Sequence, residues 1–217
     1  MTADKGLSLY TNLDLDEADN AAEIQRIYQE WAARYDQDND EALGTVSQPT
    51  MVELFARYAP HPQMTLLDVG CGTGLVGHYL GQAGFTHFDG TDLSDDMLAY
   101  AAPRGYRSLF PANLSKGLPV ADDAYDGCLC VGVFTHGHVG PEGLAELTRI
   151  TRFGGLIGFT INEDVLEPYG FDKAIERYVE GGHWRLKCHQ ISDYMVKKGV
   201  KGIYVIAEVI DAAKQGA

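Results

Sequence analysis

The stretch LLDVGCGTGLVG, residues 66–77, puts Asp68 at the end of an apolar run and then Gly70, Gly72, Gly74 and Gly77 within eight positions. Glycine lets a backbone turn through left-handed conformations and approach a ligand closely. Bare amides suit a phosphate, but the Asp68 carboxylate beside them does not. Like charges about 5 Å apart at an effective dielectric of about 20 cost roughly 3 kcal/mol. A ligand carrying positive charge reverses that sign. Twenty residues after Gly72 stands Asp92, an acid able to take both hydroxyls of a ribose. Farther on, Thr135, His136 and His138 form a second chemical cluster. Histidine titrates near neutrality and suits proton removal. His-x-His can also ligate zinc, but no third ligand lies near in the sequence, and no metal is expected.

GTGLVG formally matches G-x-G-x-x-G, and Asp92 fits the ribose-binding acid of that dinucleotide fingerprint. An NAD-dependent oxidoreductase is therefore one reading. Two details favour another: Gly70 starts the glycine run earlier, giving G-x-G-x-G, and Asp68 lies where phosphate charges would be. S-Adenosylmethionine offers an ammonium, a sulfonium and a ribose, and matches all of these features. A non-catalytic sensor or scaffold binding the same nucleoside stays open as a third reading.

The elements that must position these groups follow from periodicity. From residue 64 strands alternate with helices: a strand at MTLLDV, a helix at GLVGHYLGQAG, a strand at FTHFDGTDL, and a helix DDMLAYAA capped by Ser94. Strands follow at YRSLFPA and YDGCLCVGVF, then a helix GPEGLAELTRITR with proline early and arginines at its end, then a strand GGLIGFTIN. This alternation predicts a doubly wound parallel sheet. In a doubly wound sheet ligands lie beyond the carboxyl ends of the strands, which places Thr135, His136 and His138 beside the glycine loop. After a helix at GFDKAIERYVEGG, HWRLKCHQISDYMV and VKGIYVIAEVI read as an antiparallel hairpin closing one sheet edge. Asn162, Tyr169, His183 and Trp184 are candidates for the substrate side, Trp184 reading mainly as core.

Before the core, residues 1–20 read as a tail or part of a lid, and Ile24, Ile27, Tyr28, Trp31 and Tyr35 have helical spacing. A second short helix, QPTMVELFARYAP, has Pro49 at its first position and Pro60 at its end. Residues 1–60 are thus expected as a tail and helical lid, and residues 61–217 as the core of a single domain.

The 217 residues include 31 acidic and 17 basic side chains, a net charge of −14 that repels polyanions and argues against nucleic acid. No apolar run reaches the roughly 18 residues of a membrane span, and the acidic N-terminus lacks signal-peptide features. Cys71, Cys128, Cys130 and Cys188 show no zinc or disulfide spacing, and Cys128 and Cys130 are read on opposite faces of a strand. Reduced thiols in a cytoplasm are the expectation, with a small molecule as partner.

LLDVGCGTG followed by DGTDLSDDML resembles the first two motifs of the class I S-adenosylmethionine-dependent methyltransferases, and RITRFGGLIGFTIN looks like that family's fifth strand. The likeness covers roughly residues 60–165. The WAxxYD helix from Trp31 to Asp36 and GVFTHGHVGPEGLAELTR are similar to the small methyltransferases named after the Williams–Beuren syndrome region. The resemblance implies a Rossmann-like fold with a seven-stranded, mostly parallel sheet, and S-adenosylhomocysteine as product. It implies that Gly70, Cys71, Gly72 and Gly74 let the backbone meet the cofactor, that Asp68 orders the loop, and that Asp92 holds the ribose. Leu93 and Met97 would pack on the adenine, with Met97 equally readable as core, and Asn113 and Leu114 would stand near the adenine amine. Asn113 stands where the family often has an acid, and Phe153 where it commonly has proline. Tyr28 and Tyr35 would face the cofactor pocket, and Asp36 could reach the same space. His136, and after it His138, are the candidates for a substrate-binding or basic role.

Overall fold

In a computed structural model, residues 34–210 and Arg26 are described, the side chains of Asp38 and Asp40 excepted. The tail, Tyr28 and Trp31, and with them most of the expected lid, lie outside the described residues. Helix α1 (Ser47–Tyr58) comes before β1 (Leu66–Val69), α2 (Leu75–Gln82), β2 (Phe88–Asp92), α3 (Asp95–Ala101) and β3 (Leu109–Pro111). Then come β4 (Tyr125–Phe134), α4 (Gly143–Ile150), β5 (Thr151–Asn162), α5 (Phe171–Glu180), β6 (Trp184–Met195) and β7 (Val200–Val209).

The strands form one seven-stranded sheet in the order β3-β2-β1-β4-β5-β7-β6. β1 to β5 pair in parallel, and β7 runs antiparallel to both β5 and β6. The doubly wound, mostly parallel sheet and its C-terminal hairpin are therefore as expected. β1 is buried at every position, as a central parallel strand must be when helices cover both faces. On one face Leu67, Cys128 and Ile157 meet Leu144 and Leu147 of α4 and Phe171 of α5. On the other, Leu66, Leu129 and Tyr204 meet Met51 and Phe55 of α1 and Leu80 of α2.

Several local expectations need correction. Cys128 and Cys130 lie in the same core layer, because residues two apart on a strand share a face. The helix expected through Arg152 ends at Ile150, and Thr151 opens β5 opposite Tyr125. Thr151 is β-branched and spends its hydroxyl on the carbonyl of Leu147 at 2.8 Å, so it closes the helix and starts the strand. Helix α1 starts two residues before Pro49, which still falls in the first turn, where amide hydrogens have no intrahelical partner.

The β3–β4 connection carries only a short 3₁₀ turn, Leu114–Lys116, in place of a helix. Arg149, in the last turn of α4, holds it by donating to the carbonyls of Val120 (2.7 Å) and Leu118 (3.1 Å). Glu146 accepts from the Leu118 amide at 2.8 Å, and its hydrogen bonds from Arg149 keep its carboxyl below the usual glutamate range. Beside this connection a shallow cavity of about 490 Å³ opens at the amino ends of the strands, among Asp89, Arg107, Phe110 and Tyr125. No helix among the described residues is long and apolar enough to cross a membrane.

Helix α1 belongs to the 1–60 stretch, yet its Phe55 is fully buried between Leu66, Leu156 and their neighbours. Phe55→Ala is expected to destabilise the protein by about 3–5 kcal/mol. Urea denaturation measures this, and a loss below about 1 kcal/mol would mean that α1 rests on the core without being part of it.

Candidate functional site

The loop after β1 is built by glycines that must be glycines. Gly70, Gly72 and Gly74 have φ of 71°, 54° and 90°, in the left-handed region. A Cβ on Gly70 would stand 2.3 Å from Cγ2 of Val133, so the tip of β4 packs directly on the bend. A Cβ on Gly72 would meet no described atom within 4 Å, so this is where the backbone faces open space. Strand β2 holds the bend. The Thr91 carbonyl accepts from the amides of Gly70 (2.8 Å) and Cys71 (2.9 Å). Asp92 Oδ2 accepts from the Gly72 amide at 2.8 Å and Oδ1 from the Ser94 amide at 2.9 Å. The Leu93 amide adds a third hydrogen bond, and a carboxylate with about four acceptor positions keeps room for a further donor. Burial pushes the Asp92 carboxyl above the usual aspartate range, and these amides pull it back.

Asp68 lies fully buried behind the bend. Its Oδ2 accepts from the Tyr106 hydroxyl at 2.6 Å, while Oδ1 is buried with no partner among the described residues. Burial, with the Asp92 charge adding to it, pushes the Asp68 carboxyl up to about 7, against the pull of the Tyr106 hydrogen bond. Tyr106 carries no signal in the sequence. Only its position beside three glycines distant in the chain reveals it.

The second cluster stands at the tip of β4. Asn162 Nδ2 approaches Thr135 Oγ1 at 3.4 Å, and Tyr169 accepts from the Gly137 amide at 3.3 Å. His136 Nε2 lies 3.8 Å from Asp164 Oδ2, and its ring meets Tyr169 edge-on at 6.4 Å between centroids. His138 Nδ1 is 2.7 Å from the carbonyl of His136, and burial holds its imidazole below the usual histidine range. His138 is thus committed to shaping its own loop. Asp164 was not singled out in the sequence. It follows Asn162, whose Oδ1 accepts from the Asp164 amide at 3.0 Å and so fixes that turn.

Other candidates separate. Asn162 and Tyr169 stand at this tip. His183 and Trp184 do not: β6 starts opposite Val209, at the amino end of β5, so they lie at the far end of the sheet. Trp184 is 1% exposed, stacks on Tyr178 and donates to Thr148. Leu114 is buried in the core, and Asn113 spends its Oδ1 on the Ser115 amide at 2.9 Å. Cys71 packs with Leu98 and Ala101, leaving its backbone to the loop. Met97 is buried, its amide donating to the Ser94 cap, and Leu93 is half-buried. No group of three or more His, Cys, Asp or Glu is placed to hold a metal among the described residues.

Tyr35 is half-buried at the start of the single helical turn Tyr35–Asp38, next to Asp36. Asp36 accepts from Thr73 Oγ1 at 2.5 Å and pairs with Arg104, so its carboxylate is tied to the glycine loop. The following residues dock on the hairpin: Val46 donates to the Tyr194 carbonyl, and Thr45 bridges Met195.

Comparisons with known proteins agree with this geometry. A family model described as "Methyltransferase domain" matches residues 67–159. Human Methyltransferase-like protein 27 is 31% identical over 170 residues, which cover 75% of this chain and 69% of that protein. Malonyl-(acyl-carrier protein) O-methyltransferase of Pectobacterium atrosepticum is 37% identical over 111 residues, 51% of this chain and 44% of that protein. The chain thus spans less than half the length of that relative. The crystal structure of magnesium protoporphyrin IX methyltransferase from Synechocystis PCC 6803 with bound S-adenosylhomocysteine aligns with a TM-score of 0.65. Identity there is 15%, over 88% of this chain and 100% of that one, a likeness of fold.

The Asp36–Arg104 pair is half exposed to water, and such pairs contribute about 0.5–1 kcal/mol. A double-mutant cycle with Asp36→Ala and Arg104→Ala, read by thermal denaturation, should give a coupling energy in that range. Strict additivity would show that Asp36 and Arg104 are not coupled.

Proposed function

Because the chain belongs to the methyltransferase domain family, we propose that it moves a methyl group from S-adenosylmethionine to a small-molecule acceptor at oxygen, nitrogen or sulfur. The oxidoreductase and the non-catalytic sensor readings give way to an enzyme of this family. The observation that carries the reading is the bend at Gly72, left-handed and open on its side-chain face, with its amide held by Asp92. The residues fit the cofactor. Gly72 leaves a cradle that any side chain would fill, Asp92 keeps acceptor capacity for ribose hydroxyls, and buried Asp68 Oδ1 lacks a partner among the described residues.

When bound, S-adenosylmethionine supplies a methyl group already activated by its sulfonium. The chain must then hold an acceptor in line with it and exclude water. Gly70, Cys71, Gly72 and Gly74 serve through their backbone, Asp92 through its carboxylate, and Leu93 as apolar surface, with Met97 beneath it as core. Asn113 serves through the second lone pair of its Oδ1, the first being taken by the Ser115 amide of the 3₁₀ turn. Leu114 serves only through its backbone, since its side chain is core. Tyr28 and Tyr35 belong to the cover over this space. The proposed division is a tail and helical lid in residues 1–60 and the core in residues 61–217, with α1 packed on that core.

His136 is the base for acceptors that must lose a proton. Asp164 Oδ2 stands 3.8 Å from its Nε2, beyond hydrogen-bond reach. His138, held neutral by burial, supports the loop. A small molecule fits better than nucleic acid because the net charge of −14 repels a polyanion. Membership of the Williams–Beuren group is part of the proposal. It is supported by the identity to Methyltransferase-like protein 27 and by Asp36, the last residue of the WAxxYD stretch, being seated on Thr73. A reducing cytoplasm is supported by the absence of any disulfide among the four cysteines.

A coupled homocysteine-release assay over a metabolite library tests the activity. Asp92→Ala should weaken S-adenosylhomocysteine binding by about 1.5–3 kcal/mol in calorimetry. Unaltered affinity removes Asp92 from the site. His136→Ala should abolish turnover of a protic acceptor at near-normal cofactor affinity, whereas unchanged turnover makes His136 structural.

A further inference from the structure

Tyr106 lies between α3 and β3, far in sequence from the glycine loop, yet three glycines are shaped around its ring. A Cβ on Gly77 would stand 2.4 Å from Cζ, one on Gly90 2.8 Å from Cε1, and one on Gly74 3.0 Å from Cε2. Phe88 closes the remaining side edge-on, with ring centroids 5.1 Å apart. The hydroxyl accepts from the Gly77 amide at 3.0 Å and donates to Asp68 Oδ2 at 2.6 Å. A hydroxyl with one accepted and one donated bond has a fixed orientation, so its proton is committed to Asp68. Gly77 and Gly74 are therefore small on their side-chain faces for the sake of this ring.

We infer that Tyr106 is a positioning residue of the cofactor site: its ring, locked among three glycines, aims its hydroxyl at Asp68 Oδ2, so that the charged form of this carboxylate is favoured and its Oδ1 is available to the cationic end of the cofactor. The inference rests on the reading of this loop as the S-adenosylmethionine site. A phenol donor stabilises the charged form of the carboxylate it bonds. The groups facing Asp68 are Tyr106, Asp92 on β2, Cys71 in the loop and Cys130 on β4. Burial raises Tyr106, Cys71 and Cys130 far above their ordinary values, so all three stay neutral. The Asp92 charge and burial both oppose ionisation of Asp68, and among the facing groups named only Tyr106 favours it. With its carboxyl pushed up to about 7, Asp68 is balanced between its two forms near neutral pH, and one hydrogen bond decides which dominates.

The test uses Tyr106→Phe, which keeps the ring and removes the hydroxyl. The Asp68 titration is followed in the cofactor-free protein by carboxyl carbon-13 NMR, assigned with Asp68→Asn. S-Adenosylhomocysteine affinity is measured by calorimetry from pH 6 to 9. The Asp68 midpoint should rise by about one pH unit in Tyr106→Phe. Affinity should fall about fivefold at pH 7, with the gap closing toward pH 9, because moving the midpoint by one pH unit changes the ionisation equilibrium about tenfold. The ligand's own titration cancels in the ratio of the two proteins. A midpoint and affinity ratio that do not move would overturn the inference and leave Tyr106 a space-filling residue. If Tyr106→Phe does not fold, Asp68→Asn decides: a flat ratio to wild type across pH overturns the inference, and a ratio that widens as pH rises supports it. Wild-type protein that ignores S-adenosylhomocysteine at every pH, with the Asp68 midpoint still raised in Tyr106→Phe, overturns the cofactor reading and the role inferred from it, while the hydrogen bond itself stands.

Discussion

The site depends on β2 reaching past the end of β1 to grip the loop that follows it. A parallel ladder stops where one chain turns away. Here the Thr91 carbonyl takes two amides of the turning chain and the Asp92 carboxylate takes a third. The same carboxylate takes the Ser94 amide, so one side chain joins the loop to the start of α3. Left-handed glycine backbone is entropically costly to fix. These four hydrogen bonds hold the bend in place and leave the face at Gly72 open.

Around that bend the structure places each neighbour by packing before it places any by chemistry. Val133 touches the bend because β4 carries an irregularity between Cys130 and Phe134, with Gly132 left-handed inside it. The amide of Gly132 is satisfied by the Thr160 hydroxyl of β5. The irregular strand end leads into Thr135 and His136. Asp164 reaches His136 from the turn after β5, and Tyr169 from the turn before α5. Neighbouring strand ends thus converge on one space, as parallel sheets with helices on both faces allow.

Much of this was legible in the sequence because it rests on local signals. Strand–helix alternation, the glycine spacing, and Asp92 twenty residues on each belong to one short segment or a single β–α–β unit. What escaped depends on distant pairing. Tyr106 read as the start of a strand, since nothing in its own segment shows three glycines from elsewhere closing on its ring. Asp36 was expected near the cofactor space, but its partner Arg104 lies 68 residues away. His183, read for the substrate side, lies at the far end of the sheet, because a hairpin's direction follows from which strand it inserts beside, whereas Trp184 is core as its pattern implies. Thr151 could pass for a last helical residue until Tyr125 paired with it. Leu114 matched a motif position, yet its side chain was needed to fill the core under α4.

The last of the seven strands is not at the rim. β7 lies between β5 and β6, bonded to both. During synthesis the ribosome releases β6 before β7, so β6 has no place on the growing sheet until the final strand emerges. Tyr204 and Ile206, fully buried on β7, complete the layer beneath α1. The nascent protein therefore exposes part of its interior until residue 209 has emerged, so closure of the sheet waits on β7.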